Sequence, residues 1–326
     1  MPSSITHSYF MKDVYDKLDN NIKKMIVLES AKTFAQGPDI FFFYNMGFGR
    51  KSNNYRNIGN YMHEHNVNNY FINIIKYIFD NNLFDNADAI SYLYGSISHF
   101  VLDSTMHPFV IYKTGVFDKK VKDTYKYNGL HPDMEYYLDA YMIFQNEKKE
   151  AKEYKMYNYI LNNDIFDDTI VNMINYVIKG TYDIDNMGNI YNKCIKDMKT
   201  FYKLFNYDPY GIKKVGYSVL DFIIPKKFIR KKVFSFYLTH NCKKYYLNLD
   251  KITWNHPCDK YETYNYSFIE LYVKAIDKTC NIIKELDKML NSRNLDISKI
   301  KELIGNLSYL TGKDCDKNIE MKYYEF

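Results

Sequence analysis

The chain has 326 residues, 46% of them hydrophobic and 25% charged, with a formal net charge of +5. Those are the proportions of a soluble globular protein, long enough for one large helical domain or two packed halves. The mild basicity is compatible with a phosphate-bearing partner and does not require one.

The five cysteines, Cys194, Cys242, Cys258, Cys280 and Cys315, are scattered and form no CxxC pair. That excludes a zinc knuckle and points to free thiols in a reducing compartment. The opening Met1-Pro-Ser-Ser-Ile-Thr-His7 has neither the basic nor the apolar region of a secretory signal. The most apolar runs, residues 40–44 and 219–225, are far too short to span a bilayer. The expected location is the cytoplasm. The 35 Tyr and 22 Phe accompany frequent Lys, Asn and Ile, a bias that an AT-rich genome produces, so the aromatic excess has little functional weight.

The pattern predicts helix almost throughout. His7, Met11, Val14 and Leu18 recur at helical spacing in the first segment. Ala35-Gln-Gly-Pro-Asp39 is a turn broken at Gly37-Pro38, after which Asp39 also suits a helix cap. Residues 60–80 form an amphipathic helix through Tyr61, Val67, Tyr70, Phe71, Ile74 and Ile75. Residues 87–107 are apolar nearly all round and include Gly95, Ser96 and Ser98, the marks of a central buried helix with close neighbours. Pro108 is expected to end it, and Pro132 suits the first turn of the next helix, with His131 at or just before its cap. Helical patterning continues through residues 165–179 and 190–205. An irregular stretch follows from Tyr207 to about Tyr264, and a final amphipathic helix occupies residues 267–290. No repeat or flexible linker divides the chain. A working division places a metal-bearing catalytic core in residues 1–150 and a helical and loop extension packed on it in residues 151–326; the alternative is one continuous domain.

The chemistry concentrates in Ser98-His-Phe-Val-Leu-Asp-Ser-Thr-Met-His-Pro108 and His131-Pro-Asp-Met-Glu135. His99, Asp103 and His107 are four residues apart, so on a helix all three share one face, and His131 and Glu135 repeat the spacing. A face of imidazole, carboxylate and imidazole is costly to bury unless something pairs the polar groups, and a divalent metal pairs them at once. A lone buried His is ordinarily a hydrogen-bonded core residue. Here His7, Asp39 and either His63 or His65 add to the same chemistry, and several buried charges would otherwise lack partners. Imidazole with carboxylate and no thiolate suits zinc best, with manganese or iron as alternatives. The ligands exceed what one four-coordinate zinc needs, so two or three ions are expected. Asp103, flanked by His99 and His107, is the candidate bridge between them. Of the adjacent pair, His63 shares a face with Val67, Tyr70 and Ile74, and is preferred to His65.

Together with Gln36-Gly-Pro-Asp39 and Thr6-His7-Ser-Tyr-Phe, these runs resemble the bacterial zinc-dependent phospholipase C family over residues 1 to about 145. Fungal nucleases that cut single-stranded nucleic acid are its relatives in fold and site. The resemblance implies an all-α fold with three zinc ions in a cleft between helices. It implies that Asp39, His63, His99 and Asp103 hold the first ion and that His107, His131 and Glu135 hold the second. His7 with the bridging Asp103 would hold the third. The chain departs from the secreted members at two points. Their third site is completed by a terminal tryptophan where this sequence reads Met1-Pro2. Five residues also separate their counterparts of Asp103 and His107, which three separate here.

Clustered zinc lowers the pKa of bound water to about 7 and clamps phosphodiester oxygens, with Asp39 the candidate to orient or deprotonate that water. The expected function is a zinc-dependent phosphodiester hydrolase of phospholipase C type acting on a phospholipid. The alternatives are a single-strand nuclease, whose partner would be nucleic acid, or a non-catalytic metal-binding scaffold. Transient contact with a membrane surface through the basic residues 226–232 is the further partner expectation, although a charge-rich solvated loop is the plainer reading. Trp254-Asn-His256-Pro-Cys258 reads as a loop that the Trp anchors to the helices.

Overall fold

The computed structural model describes residues 4–46, 53–159, 166–238, 244–317 and 319–325. Three sequence features, the Met1-Pro2 start, Ile165 and Cys242, lie outside these residues.

The described residues are mostly helical. In order come α1 (Ser4–Lys17), α2 (Asn20–Lys23), α3 (Leu28–Phe34), a tight 3-10 helix over Gly37–Phe43, α4 (Asn53–Glu64) and α5 (Val67–Asp80). They are followed by α6 (Ala87–Thr114), a second 3-10 helix over Lys122–Tyr127, α7 (Leu130–Glu147), α8 (Met156–Tyr159), α9 (Asp168–Tyr182) and α10 (Met187–Phe201). Then come α11 (Ile212–Ile223), α12 (Lys244–Leu247), an antiparallel hairpin of β1 (Trp254–His256) and β2 (Asp259–Tyr264), α13 (Phe268–Ser292) and α14 (Ile297–Ile304). Among the described residues no helix is long and apolar enough to cross a membrane.

The helix α6 is the axis. Its 28 residues reach about 42 Å, and every position from Ala89 to Ser104 is buried. The Asn86 side chain caps its start by accepting the Ala89 N–H, and Gly115, at φ +64°, ends it. Helices α1, α3, α7 and α13 all pack on it. Gly95 lets α3 in so closely that a Cβ there would lie 2.6 Å from the Ala31 carbonyl oxygen. Buried apolar side chains from Ile5 to Tyr309 join in one cluster around this axis.

The structure corrects the sequence reading in several places. The helix expected to stop at His107 runs on through Pro108 to Thr114. Proline removes one helical hydrogen bond, and burial of Phe109, Val110 and Ile111 outweighs that loss. The Ser104 carbonyl, which lies four residues before Pro108, is closely covered by Gly312: a Cβ on that glycine would sit 2.5 Å from its oxygen. The single helix expected over residues 60–80 is two, because Asn66 turns the chain at φ +53°, a left-handed conformation that Asn tolerates well. The irregular stretch contains α11 and the hairpin. The 254–258 segment, read as a loop, forms β1 and its turn, with Trp254 buried against Phe109, Tyr112 and Tyr264. At α13, Ser267 and Glu270 form a reciprocal capping box, so the helix begins at Phe268.

Replacing Gly95 by Ala should destabilise the protein, although Ala has the better helix propensity by about 1 kcal/mol. The contact with Ala31 should cost about 1–3 kcal/mol, read as a lower urea midpoint. An unchanged or raised midpoint would show that α3 and α6 can part without cost.

Candidate metal centre

Five elements deliver the ligand-type side chains. Helix α6 presents His99, Asp103 and His107 from one face, and Asp103 stays one turn from His107 because the helix does not break before Pro108. Helix α7 presents His131 and Glu135 in the same way. Asp39 sits in the first turn of the 3-10 helix, and His63 lies in the last turn of α4. His7 comes from α1, whose start is tied down by another residue of α7. Asp139, one turn beyond Glu135, accepts the Thr6 N–H and hydroxyl at 2.7 Å each and the Ile5 N–H at 3.4 Å.

All eight side chains converge. His7 Nε2 lies 3.0 Å from Asp103 Oδ1, and His99 Nε2 lies 3.2 Å from Asp103 Oδ2. His63 Nε2 is 3.1 Å from Asp39 Oδ1 and 3.7 Å from Asp103 Oδ2, and His99 Nε2 is 3.8 Å from Asp39 Oδ2. Glu135 Oε1 stands 3.1 Å from His131 Nε2 and 3.5 Å from His107 Nε2. Asp103 links the two ends, with Oδ2 at 3.6 Å from His107 Nδ1. Two groups could each surround an ion: His7, Asp39, His99 and Asp103, and His107, His131 and Glu135, with the donor atoms in each group within 4.8 Å of one another. The first group takes in His7, where the partition from sequence set His63. His65 is exposed, stacked on Tyr61 and remote from the carboxylates.

The orientation of the imidazoles is the informative feature. Nδ1 of His63 bonds the Gly59 carbonyl at 2.6 Å, Nδ1 of His99 the Ala35 carbonyl at 2.9 Å, and Nδ1 of His107 the Tyr309 carbonyl at 2.9 Å. A carbonyl only accepts, so each Nδ1 carries a proton, and Nε2 is left to meet a carboxylate either with a second proton or with a lone pair for a metal. Either way a positive charge, a proton or a metal ion, belongs between each Nε2 and the carboxylate it faces. His99 Nε2 and Asp103 Oδ2 are buried and make no hydrogen bond. The donor set therefore fits a divalent ion of the zinc class.

The electrostatics express the same demand. Burial pushes the Asp103 carboxyl upward, yet His107, His99 and His7 together hold it well below the usual carboxylate range. Burial likewise opposes ionisation of Glu135, and His131 and His107 override it and lower its pKa. For His107, burial lowers the pKa, but Asp103, Glu135 and the Tyr309 carbonyl raise it to about 9.

A cavity of about 110 Å³ opens onto Asp39, His63, His107, His131 and Glu135, with Phe42, Asn60 and Leu310 completing its wall. His131 is the most exposed of the eight side chains, with 26% of its side chain accessible. Three contributors had no place in the sequence reading. Asn60 shares a helical face with His63, a spacing that could have revealed it. Asp139 extends the Glu135 face by one turn. Tyr309, which bonds His107 and packs its ring at 5.0 Å from that of His63, is distant in the chain and belongs to no motif. His256 accepts the Cys258 N–H and reaches the Thr311 carbonyl, so both ring nitrogens are engaged away from this centre.

Residues 6–184 match the zinc-dependent phospholipase C family, and the chain belongs to that family. No curated protein and no solved structure matches the chain.

Gly37 sits at φ +53°, and a Cβ there would lie 2.3 Å from the His99 ring. Gly37→Ala should displace that ring, lowering both the bound metal per chain and the melting temperature. Gly216→Ala, with open space around its Cβ, should change neither. Full metal content in Gly37→Ala would mean that His99 does not need its present position.

Proposed function

We propose that this member of the zinc-dependent phospholipase C family hydrolyses a phosphodiester of a glycerophospholipid and releases the phosphorylated head group. The observation that carries the reading is the set of imidazoles held at Nδ1 by backbone carbonyls with Nε2 turned on buried carboxylates, beside an open cavity. In this reading residues 1–150 carry the chemistry, and residues 151–326 cover and orient it.

Asp39, His63, His99, Asp103 and His7 form one end of the centre, and His107, His131 and Glu135 form the other. Asp103 lies between them and serves as the shared carboxylate. Two or three zinc ions are proposed, and bound zinc would supply water activated near neutral pH and charge to stabilise the phosphodiester's transition state. Asp39 lines the cavity while held by His63, which suits it to orient the attacking water and take its proton. His131, the ligand nearest solvent, places the second end where substrate arrives. The Gly59, Ala35 and Tyr309 carbonyls fix the tautomers, so their contribution is to orientation.

The protein purified without added metal should carry at least two equivalents of zinc, and chelation should lower its melting temperature. Asp39→Asn should retain most metal yet release phosphocholine from short-chain phosphatidylcholine about 100-fold more slowly or worse. Asp103→Asn should lose metal and activity together, and His7→Ala should lose less. Cleavage of single-stranded DNA with no turnover of any phospholipid would replace this reading by a nuclease. Less than one equivalent of metal would replace it by a non-catalytic scaffold.

A further inference from the structure

Helix α11 is built inside out. Its one buried residue is Asp221, whose carboxylate accepts the N–H groups of Lys231 and Lys232. Tyr217 and Lys214 also point inward, donating to the Phe205 and Tyr237 carbonyls. At 100° per residue, Ile212, Val215, Val219, Phe222 and Ile223 fall within one stripe on the opposite side. That stripe faces solvent: Phe222 is 93% exposed, Ile212 73% and Ile223 72%. A contiguous apolar face of this kind marks an interaction surface.

The surrounding charge identifies the occupant. Residues 212–232 contain seven basic side chains and the single acid Asp221, a net of +6. The whole chain carries +5, so everything outside this excursion sums to −1. Lys226, Lys227 and Lys232 are exposed immediately after the apolar stripe. A second copy seated on the stripe would bring two such basic faces together. An apolar stripe flanked by lysines instead matches an anionic bilayer, with acyl chains for the stripe and phosphates for the ammonium groups. A cavity of about 490 Å³ at the junction, between Phe222, Ile224, Lys226, Arg230 and Lys232, offers a place for a head group; Asp221 also reaches its wall, with its carboxylate bonded to the Lys231 and Lys232 N–H groups.

We propose that α11 and the basic loop after it, through residue 232, dock this protein on anionic lipid surfaces. The same excursion is fastened to the segment that precedes His131. The Asn128 amide donates to the Lys226 and Phe228 carbonyls at 2.7 Å each, and Arg230 packs against Gly129, the residue that caps α7. Docking thus brings the His131 end of the centre close to the lipid. The docking itself rests on the surface of α11 and not on the proposed hydrolysis.

Cosedimentation of the full chain with vesicles tests the proposal. Binding should be strong to vesicles of phosphatidylcholine mixed with phosphatidylserine and at least about tenfold weaker to phosphatidylcholine alone. Phe222→Asp, and separately Lys226→Ala with Lys227→Ala, should each weaken binding to the mixed vesicles about fivefold or more. All these side chains are exposed, so melting temperature and any turnover of a water-soluble short-chain substrate should stay unchanged. Equal binding by wild type and Phe222→Asp, or no binding to the mixed vesicles, would overturn the proposal. So would a wild-type dimer that Phe222→Asp dissociates, because a second copy would then be the occupant. Inactivity on every substrate with vesicle binding intact would count against the hydrolase reading alone.

Discussion

Three carboxylates, Asp39, Asp103 and Glu135, are buried within one cluster of imidazoles, and the remainder of the molecule is arranged around that fact. An isolated buried carboxylate is among the costliest groups a protein can enclose. Each of these faces at least two imidazoles. Imidazole is the one basic side chain that can either carry a proton or, when neutral, donate a lone pair to a metal. A lysine at any of these positions would neutralise the charge permanently and leave nothing to bind an ion. The choice of imidazole keeps the centre dependent on what occupies it.

That dependence is maintained by irregular backbone. Ala35, whose carbonyl holds His99, is the C-terminal cap of α3, where helical carbonyls lose their partners. Gly37 follows in a left-handed conformation that permits contact with the same ring. Asn66 ends the turn after His63, and Pro108 follows His107 directly. Gly37, Asn66 and Pro108 thus lie two, three and one residues from Asp39, His63 and His107. Local sequence preferences are broken where the site requires a carbonyl or a ring in a fixed place, and the surrounding burial compensates.

This explains which features were legible in the sequence. The spacing of His99, Asp103 and His107 and of His131 and Glu135 follows from helical geometry alone, so all five were apparent. His7, Asp39 and His63 required the further recognition that separate segments offered the same chemistry. Continuation of α6 through Pro108 was hidden because local propensity opposes it and only packing with distant residues favours it. The part played by Tyr309 is carried by its backbone carbonyl, which every residue type possesses, so its identity gave no signal. Helix α11 lay within a stretch read as irregular because of its glycines and prolines, and its periodicity, once seen, shows two faces without showing which one the protein covers.

Helix α7 connects these properties. Its cap, Gly129, lies against the basic loop; its first turn carries His131; the next turn carries Glu135; and Asp139, one turn further, holds the start of α1 and with it His7. A helix interior transmits displacement almost rigidly because its hydrogen bonds and side-chain packing leave little slack. A shift at Gly129 would accordingly move His131 and Glu135 together relative to α6, which is held on several sides by other helices. His99, Asp103 and His107 sit on the most enclosed helix, and His131, on α7, is the most exposed of the eight side chains. If lipid engages the loop fastened to Asn128, the element it loads is the one that bears His131, the most exposed of the candidate ligands, and Asp103 is the carboxylate that lies between the α6 and α7 ends.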